Sequence, residues 1–167
     1  MTEATEVKGR ILWLDANFNS VEKYRIMEIK NGGYDIRAYS SLDKVPTAIR
    51  EQIEKFDLII VEPLNTIVTE ESKTFYQSFR DRFVELPPLP GIVFLNGMGT
   101  VYILRLISPL VLLLIYTGIE EDTKAGHQRL EELRRTKNVI QIIKKPLYYK
   151  DFLAEIEKMI GGKAQEK

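Results

Sequence analysis

Short apolar runs alternate with helix-like stretches along the 167 residues, and this alternation constrains the fold more than any other feature. The clearest runs are residues 10–15 (RILWLD), 56–62 (FDLIIVE) and 110–116 (LVLLLIY), with further candidates at 34–39 and 139–143. Nearly continuous apolar strands are typical of a parallel sheet that helices cover on both faces. The sequence therefore predicts an α/β fold with a doubly wound parallel sheet of five or six strands.

Helical patterns fill the segments between these runs. The first helix is predicted after the helix-capping residues Asn17, Asn19 and Ser20, and it ends at Gly32-Gly33 because glycine commonly follows the last helical turn. Its apolar residues are Val21, Tyr24, Ile26, Met27 and Ile29. A second helix is predicted at 42–55, with its interior starting near Pro46, and a third follows Thr69 with Phe75, Phe79 and Phe83 on one side. A strand is predicted at 92–95 and a short helix or strand at 100–107.

Two more helices are predicted toward the C-terminus. One spans residues 120–135 and opens with Glu120, Glu121 and Asp122, and the last spans residues 151–160 and ends at Gly161-Gly162.

Composition excludes several classes of function. Lys plus Arg and Asp plus Glu both total 24, so the chain lacks the basic excess that is typical of nucleic-acid binding. It has no cysteine and one histidine, which excludes thiol chemistry, disulfides and multi-histidine metal sites. The most apolar stretch, residues 106–116, is about half the length of a membrane-spanning helix. We therefore expect a cytoplasmic protein that binds neither nucleic acid nor a membrane.

Polar side chains stand at the ends of four predicted strands: Asp15, Glu62, Thr117 and Lys145. Right-handed crossovers place the carboxyl ends of parallel strands at one edge of the sheet, so these groups are expected to converge there. Two carboxylates suit a hard cation such as Mg²⁺, whereas a hydroxyl and an ammonium suit phosphate oxygens.

The segments that carry these residues resemble the receiver domain of bacterial response regulators. ILWLDAN, DLIIVEP and LLLIYTG are similar to its first, third and fourth strands, and IIKKPLYYKDFLAEIEKMI is similar to its last strand, Lys-Pro pair and final helix. The resemblance covers residues 8–160 of what is predicted to be a single domain over residues 1–167. It implies a flavodoxin-like receiver fold with a cis peptide bond before Pro146.

The resemblance also implies that the phosphorylation chemistry is altered. Glu62 stands at the position of the phosphoacceptor aspartate, and its extra methylene moves the carboxylate outward, which in-line phosphoryl transfer tolerates poorly. The acidic turn is Asp15, Ala16 and Asn17, so an alanine replaces the residue that is usually the direct metal ligand. We expect no cofactor, or at most weak binding of Mg²⁺ by Asp15 and Glu62.

Thr117, Lys145 and Pro146 match the switch and phosphate-contact positions of the family. The family's aromatic partner of the threonine falls on Ile142, so that coupling is altered. Lys144 occupies a place that is normally apolar, and it is expected on the outer face of an edge strand.

The middle of the chain is expanded relative to a receiver domain. Glu62 and Thr117 are 55 residues apart, and the surplus falls at about residues 86–109. An added β–α unit, a lid and a partner-docking arm all remain open as explanations.

Three functions are compatible with these features. The first is a pseudo-receiver without enzymatic activity, a phosphorylation-independent protein–protein signalling module in a two-component-like system. It would dock other proteins or a second copy of itself through the helix at 120–135, the Lys145 loop and the last helix. The second is a flavodoxin-like domain that binds a small molecule or nucleotide at the glycine turn of residues 96–100 (NGMGT). The third is a genuine phosphoacceptor that uses Asp15 or Glu62.

Overall fold

The apolar runs of the sequence form one parallel sheet. The structure, a computed structural model, describes residues 7–63, 74, 100–101, 103–105, 108–136 and 139–165. Within these residues the elements are β1 (Arg10–Leu14), α1 (Lys23–Asn31), β2 (Asp35–Tyr39), α2 (Thr47–Arg50), β3 (Leu58–Val61), β4 (Leu112–Thr117), α3 (Lys124–Arg134), β5 (Val139–Lys144) and α4 (Tyr149–Gln165). Two 3₁₀ turns, Leu42–Lys44 and Ile53–Lys55, flank α2.

The described strands lie in the order β2-β1-β3-β4-β5, and every neighbouring pair is parallel. This is the flavodoxin-like order, in which strand ends line a crevice where the order reverses at β1 and β3. The prediction of a doubly wound parallel sheet is confirmed, with five strands in the described part of the chain. The carboxyl ends of β1, β3, β4 and β5 therefore lie side by side at one edge.

Side-chain alternation along the strands creates a core on each face of the sheet. One core contains Leu12, Ile59 and Leu113 and is covered by Leu130 and Leu133 of α3. The other core is built from the intervening strand residues and from α1 and α4, and its members include Trp13, Ile60, Tyr116, Ile29 and Phe152. The second core contains a cluster of three aromatic rings, because Tyr116 lies 5.9 Å from Trp13 and 4.5 Å from Phe152 between ring centroids.

Helix α1 ends where it was predicted to end, but its apolar face was predicted wrongly in part. Ile26 and Ile29 are buried, whereas Val21, Tyr24 and Met27 are exposed. Helix α1 begins at Lys23, so Val21 precedes it, and the residues that pack on the sheet are spaced by three from Ile26. The helix stops at the two glycines, and Gly33 adopts a φ of 93°, which favours glycine.

The predicted helix at 42–55 is not continuous. Val45 is extended with ψ of 125°, as expected for a residue before proline, and α2 starts directly after Pro46. The α-helix then ends at Arg50, and a 3₁₀ turn leads into β3. Pro46 therefore divides the segment, because its missing N–H and its ring oppose a helix that runs through it.

Two boundaries of the later helices were also predicted wrongly. Helix α3 begins at Lys124 behind Thr123, whose side-chain oxygen accepts a hydrogen bond from the Gly126 N–H at 3.0 Å, so the acidic residues 120–122 lie before the helix. Helix α4 does not stop at Gly161-Gly162 but continues to Gln165. Neither glycine adopts a positive φ, and a glycine within a helix costs only about 1 kcal/mol relative to alanine.

Several predictions fall on residues outside the described part of the chain. They are the helix after Thr69 with its phenylalanine stripe, the strand at 92–95, most of the 86–109 expansion and residues 96–99 of the glycine turn. At 100–107, the described residues Thr100, Val101 and 103–105 are helical and, apart from Arg105, buried. None of the described helices is long and apolar enough to cross a membrane.

Candidate functional site

The ammonium group of Lys145 lies at the centre of the strand-end edge. Lys145 directly follows β5, and its Nζ atom lies 2.6 Å from Asp15 Oδ2, 3.0 Å from Glu22 Oε1 and 3.3 Å from Glu62 Oε2. The peptide bond between Lys145 and Pro146 is cis, as the resemblance implies. The structure thus brings Lys145 together with the carboxylates that end β1 and β3, and adds a third carboxylate.

Glu62 is held from three sides. Its Oε1 atom accepts a hydrogen bond of 2.7 Å from the Thr117 hydroxyl, and its Oε2 atom accepts one of 3.2 Å from the Gly118 N–H as well as contacting Lys145. Glu62 is 5% exposed and Thr117 1% exposed. Thr117 Oγ1 also accepts a hydrogen bond from the Ile119 N–H, which fixes the hydroxyl toward Glu62.

The acidic turn after β1 contributes one carboxylate. Asp15 is buried, and its Oδ1 atom accepts a hydrogen bond from the Asn17 N–H at 2.8 Å, while Oδ2 contacts Lys145. Ala16 lies beside it and offers no side-chain ligand. Asn17 acts through its backbone, because its carbonyl oxygen also accepts hydrogen bonds from the Ser20 and Glu22 N–H groups.

Glu22 and Arg25 belong to this site and were not predicted. Glu22, 1% exposed, precedes α1 and contacts Lys145 with Oε1, while its Oε2 accepts a hydrogen bond of 2.9 Å from Arg25. Arg25 also donates to the Leu147 carbonyl, which ties α1 to the loop after β5. A glutamate beside a helix N-terminus is ordinary dipole chemistry, so the sequence carried no signal for a buried role.

The electrostatics of the cluster favour a charged Lys145. Burial alone would lower the pKa of Lys145, but the hydrogen bond and charge of Asp15, with the charges of Glu62 and Glu22, raise it above the ordinary value of 10.5. Three buried carboxyl groups face the two cations Lys145 and Arg25, so the acidic groups of the cluster outnumber its basic groups.

The aromatic ring of Tyr116 packs against both Lys145 and Arg25. Lys145 Nζ lies 5.0 Å and the Arg25 guanidinium 5.4 Å from the centroid of its ring, within cation–π range. Its phenol oxygen accepts a hydrogen bond from the Leu147 N–H at 3.2 Å. Burial raises the pKa of Tyr116 above the ordinary value of 10.0.

The residues present do not fit the divalent cation that the receiver resemblance implies. The position of the direct ligand holds Ala16, and the ammonium of Lys145 lies between the carboxylates that would provide the other ligands. Across the described ranges, no three Asp, Glu or His side chains are arranged to hold a metal ion. Weak binding of Mg²⁺ by Asp15 and Glu62 stays a prediction, and the geometry argues against it.

The switch positions lie next to a groove on the other face of the sheet. A groove of about 340 Å³ lies between α3 and β5, and its lining includes Thr117, Leu130, Ile140 and Ile142. Ile142 is half-buried against the core that α3 covers. Lys144 is exposed on β5, the last strand of the described sheet, and it lines the same groove as Ile142.

Comparison with solved structures assigns the fold to a known class. A CheY-like response-regulator receiver domain protein from Methanospirillum hungatei matches with a TM-score of 0.59 and 15% identity, covering 97% of this chain and 100% of the other. A response-regulator receiver domain from Clostridium thermocellum matches with a TM-score of 0.62 and 14% identity over 95% of this chain and 99% of the other.

A third match comes from a family of redox sensors in the streptococci that evolved from two-component response regulators, with a TM-score of 0.54 and 14% identity over 93% of this chain and 52% of the other. No protein-family model and no curated protein matches the sequence. The structural similarities establish that this chain has the flavodoxin-like receiver fold, which confirms the resemblance inferred from the sequence.

Proposed function

We propose that this chain is a pseudo-receiver, a signalling module that works through protein–protein contacts and without phosphorylation. The observation that carries the proposal is the environment of Glu62. Its carboxylate already accepts the Thr117 hydroxyl and contacts the Lys145 ammonium, the two groups that match the phosphate-contact positions of the receiver family. The glutamate thus takes up the donors that a phosphoryl group on this edge would need.

Charge supports the same proposal. A phosphoryl group carries about 1.5 to 2 negative charges at neutral pH, so an acyl phosphate on Asp15 or Glu62 would add about 0.5 to 1 charge beyond that of the carboxylate it replaces. It would enter a cluster in which Asp15, Glu22 and Glu62 outnumber the cations Lys145 and Arg25, and none of the three carboxylates is exposed. Like charges in a buried site repel strongly, because the local dielectric is low. Phosphorylation of this edge is therefore disfavoured both by geometry and by charge.

The proposed output is binding of a protein partner in a two-component-like system, with no catalytic activity of its own. The docking face consists of α3, the Lys145 loop and α4, as the receiver resemblance implies. The groove between α3 and β5 lies on this face, and Ile140 at its border is 41% exposed. One structural neighbour is described as a redox sensor evolved from response regulators, so the fold has served a modified signalling role elsewhere.

Thermal unfolding with Mg²⁺, with and without beryllofluoride as a phosphoryl mimic, tests the proposal. A ligand at about a hundred times its dissociation constant adds roughly 2.7 kcal/mol, which raises the melting temperature by several degrees. We expect no shift at millimolar concentrations of either ion. A shift that requires both ions would show a working phosphorylation site and overturn the proposal, and the gain of one phosphoryl mass from a small phosphodonor would do the same.

A further inference from the structure

The three carboxylates of the strand-end cluster are saturated by donors from the chain itself. The pairs are Asp15 Oδ1 with the Asn17 N–H, Asp15 Oδ2 with Lys145, Glu22 Oε1 with Lys145, Glu22 Oε2 with Arg25, Glu62 Oε1 with Thr117, and Glu62 Oε2 with the Gly118 N–H and Lys145. Each carboxylate oxygen therefore has a donor, and a cation from solution would have to displace one of them.

Lys145 contacts one oxygen of each carboxylate, which is also what a bound divalent ion would do. Its Nζ atom lies within 3.3 Å of all three groups, and its side chain is only 16% exposed. Divalent ions such as Mg²⁺ and Ca²⁺ bind carboxylate oxygens at about 2.0 to 2.6 Å. An ion bridging Asp15, Glu22 and Glu62 would have to occupy the space that Nζ fills, so the ammonium and the ion exclude each other.

We propose that Lys145 is the resident cation of this site, holding the place of a divalent metal ion and closing the site to one. Glu22 is then the third carboxylate, supplied from the start of α1 in place of the ligand that Ala16 cannot provide. The inference deepens the proposed function, because it gives the physical reason why this edge would take up no metal. It also requires that removing the amino group lets the three carboxylates close around a divalent cation, because in the native structure these side chains are not arranged to hold one.

Binding of Mn²⁺, followed by its electron paramagnetic resonance signal, tests this inference directly. We expect the wild-type chain to leave Mn²⁺ free, and the Lys145→Ala chain to bind one ion with a dissociation constant of about 10⁻⁵ to 10⁻³ M. Lys144→Ala is the matched control, since it removes the neighbouring, exposed lysine and should bind no ion. Adding Glu22→Gln to Lys145→Ala removes one ligand charge and should weaken binding by about tenfold or more.

Loss of Lys145 leaves like charges together, so the stability of the Lys145→Ala chain is measured with Mn²⁺ and with NaCl of equal ionic strength. A melting temperature that Mn²⁺ restores and NaCl does not restore supports the inference. A Lys145→Ala chain that is folded and leaves Mn²⁺ free, or that stays unfolded in its presence, overturns it. Binding of Mn²⁺ by the wild-type chain as tightly as by Lys145→Ala also overturns it.

The two proposals fail in different experiments. A wild-type response that requires both Mg²⁺ and beryllofluoride overturns the proposed function. If Lys145→Ala binds no Mn²⁺ and the wild-type chain shows no shift with Mg²⁺ and beryllofluoride, only the proposal that Lys145 is the resident cation is overturned. The substitutions at Ala16 and Glu62 would then explain the lost chemistry.

Discussion

The strand-end cluster and the groove between α3 and β5 lie close together at Thr117, yet they differ in how far their side chains are accessible to a ligand or partner. In the cluster, Asp15, Glu22 and Glu62 are at most 5% exposed, and their oxygens are bound by donors of the chain. In the groove, Ile140 is 41% exposed beside a volume of about 340 Å³. The difference supports the proposal that this molecule works through surface contacts rather than through a small ligand at the strand ends.

The largest expected effect comes from opening the cluster. Lys145→Ala leaves three buried carboxylates without their shared cation, and breaking a buried ion pair costs about 3 to 5 kcal/mol. Urea unfolding measures the loss in the absence of divalent ions. Lys144→Ala should change the free energy of unfolding by about 0.5 kcal/mol or less, since Lys144 is exposed. Equal effects of the two changes would mean that the cluster contributes little to stability.

A smaller effect is expected from removing a single donor. Thr117→Val preserves the shape of the side chain but leaves Glu62 Oε1 without its hydroxyl partner, which costs about 1 to 3 kcal/mol for a buried group. Thr117→Ser retains the hydroxyl and should recover a large part of this loss. The same unfolding experiment separates the two variants, and a serine variant as unstable as the valine variant would assign the loss to packing.

Alkaline pH should weaken the cluster without any mutation. The folded-state pKa of Lys145 is raised by Asp15, Glu62 and Glu22, so its stabilising contribution is fully present below 10.5 and is lost as the pH rises through the raised value. The raised pKa of Tyr116 acts in the same direction, from 10.0 upward. Unfolding free energies measured from pH 8 to 12 should stay level and then fall, and the fall should be shallower for Lys145→Ala.

The smallest effect on stability is expected in the groove. Ile140→Lys places a charge on an exposed position of β5, the outermost strand of the described sheet, and should change stability by about 0.5 kcal/mol or less. Any self-association of the wild-type chain seen by sedimentation velocity should be lost in this variant and kept in Tyr24→Lys, which alters exposed α1 instead. A strong loss of stability in Ile140→Lys would show that the groove border belongs to the core.

The sheet could be predicted from sequence because its signals are local. Runs such as residues 10–15 and 110–116 are apolar on both faces, and that pattern has few structural solutions apart from a covered parallel strand. The convergence of Asp15, Glu62, Thr117 and Lys145 followed from the topology, since parallel strands end at one edge. The roles given to these residues remain predictions.

The parts that could not be predicted depend on tertiary packing. Glu22 and Arg25 lie in a polar stretch whose pattern fits an exposed helix start, and only the fold places Glu22 against Lys145. The apolar face of α1 was ambiguous because Tyr24 and Ile26 lie on different sides of the same short helix. The continuation of α4 past Gly161-Gly162 shows that two glycines need not end a helix when neither adopts a positive φ.

The aromatic cluster beside Lys145 provides an intrinsic fluorescent probe of the strand-end site. Trp13 is the single tryptophan of the chain, is fully buried, and meets Tyr116 edge-on at 5.9 Å, while Tyr116 lies under both Lys145 and Arg25. The Tyr116 ring is thus in contact range of both the Trp13 indole and the Lys145 ammonium. Indole emission responds to nearby charge. A shift of the Trp13 spectrum in the native protein would therefore report a rearrangement of the strand-end charges before any global unfolding, and no attached label would be needed.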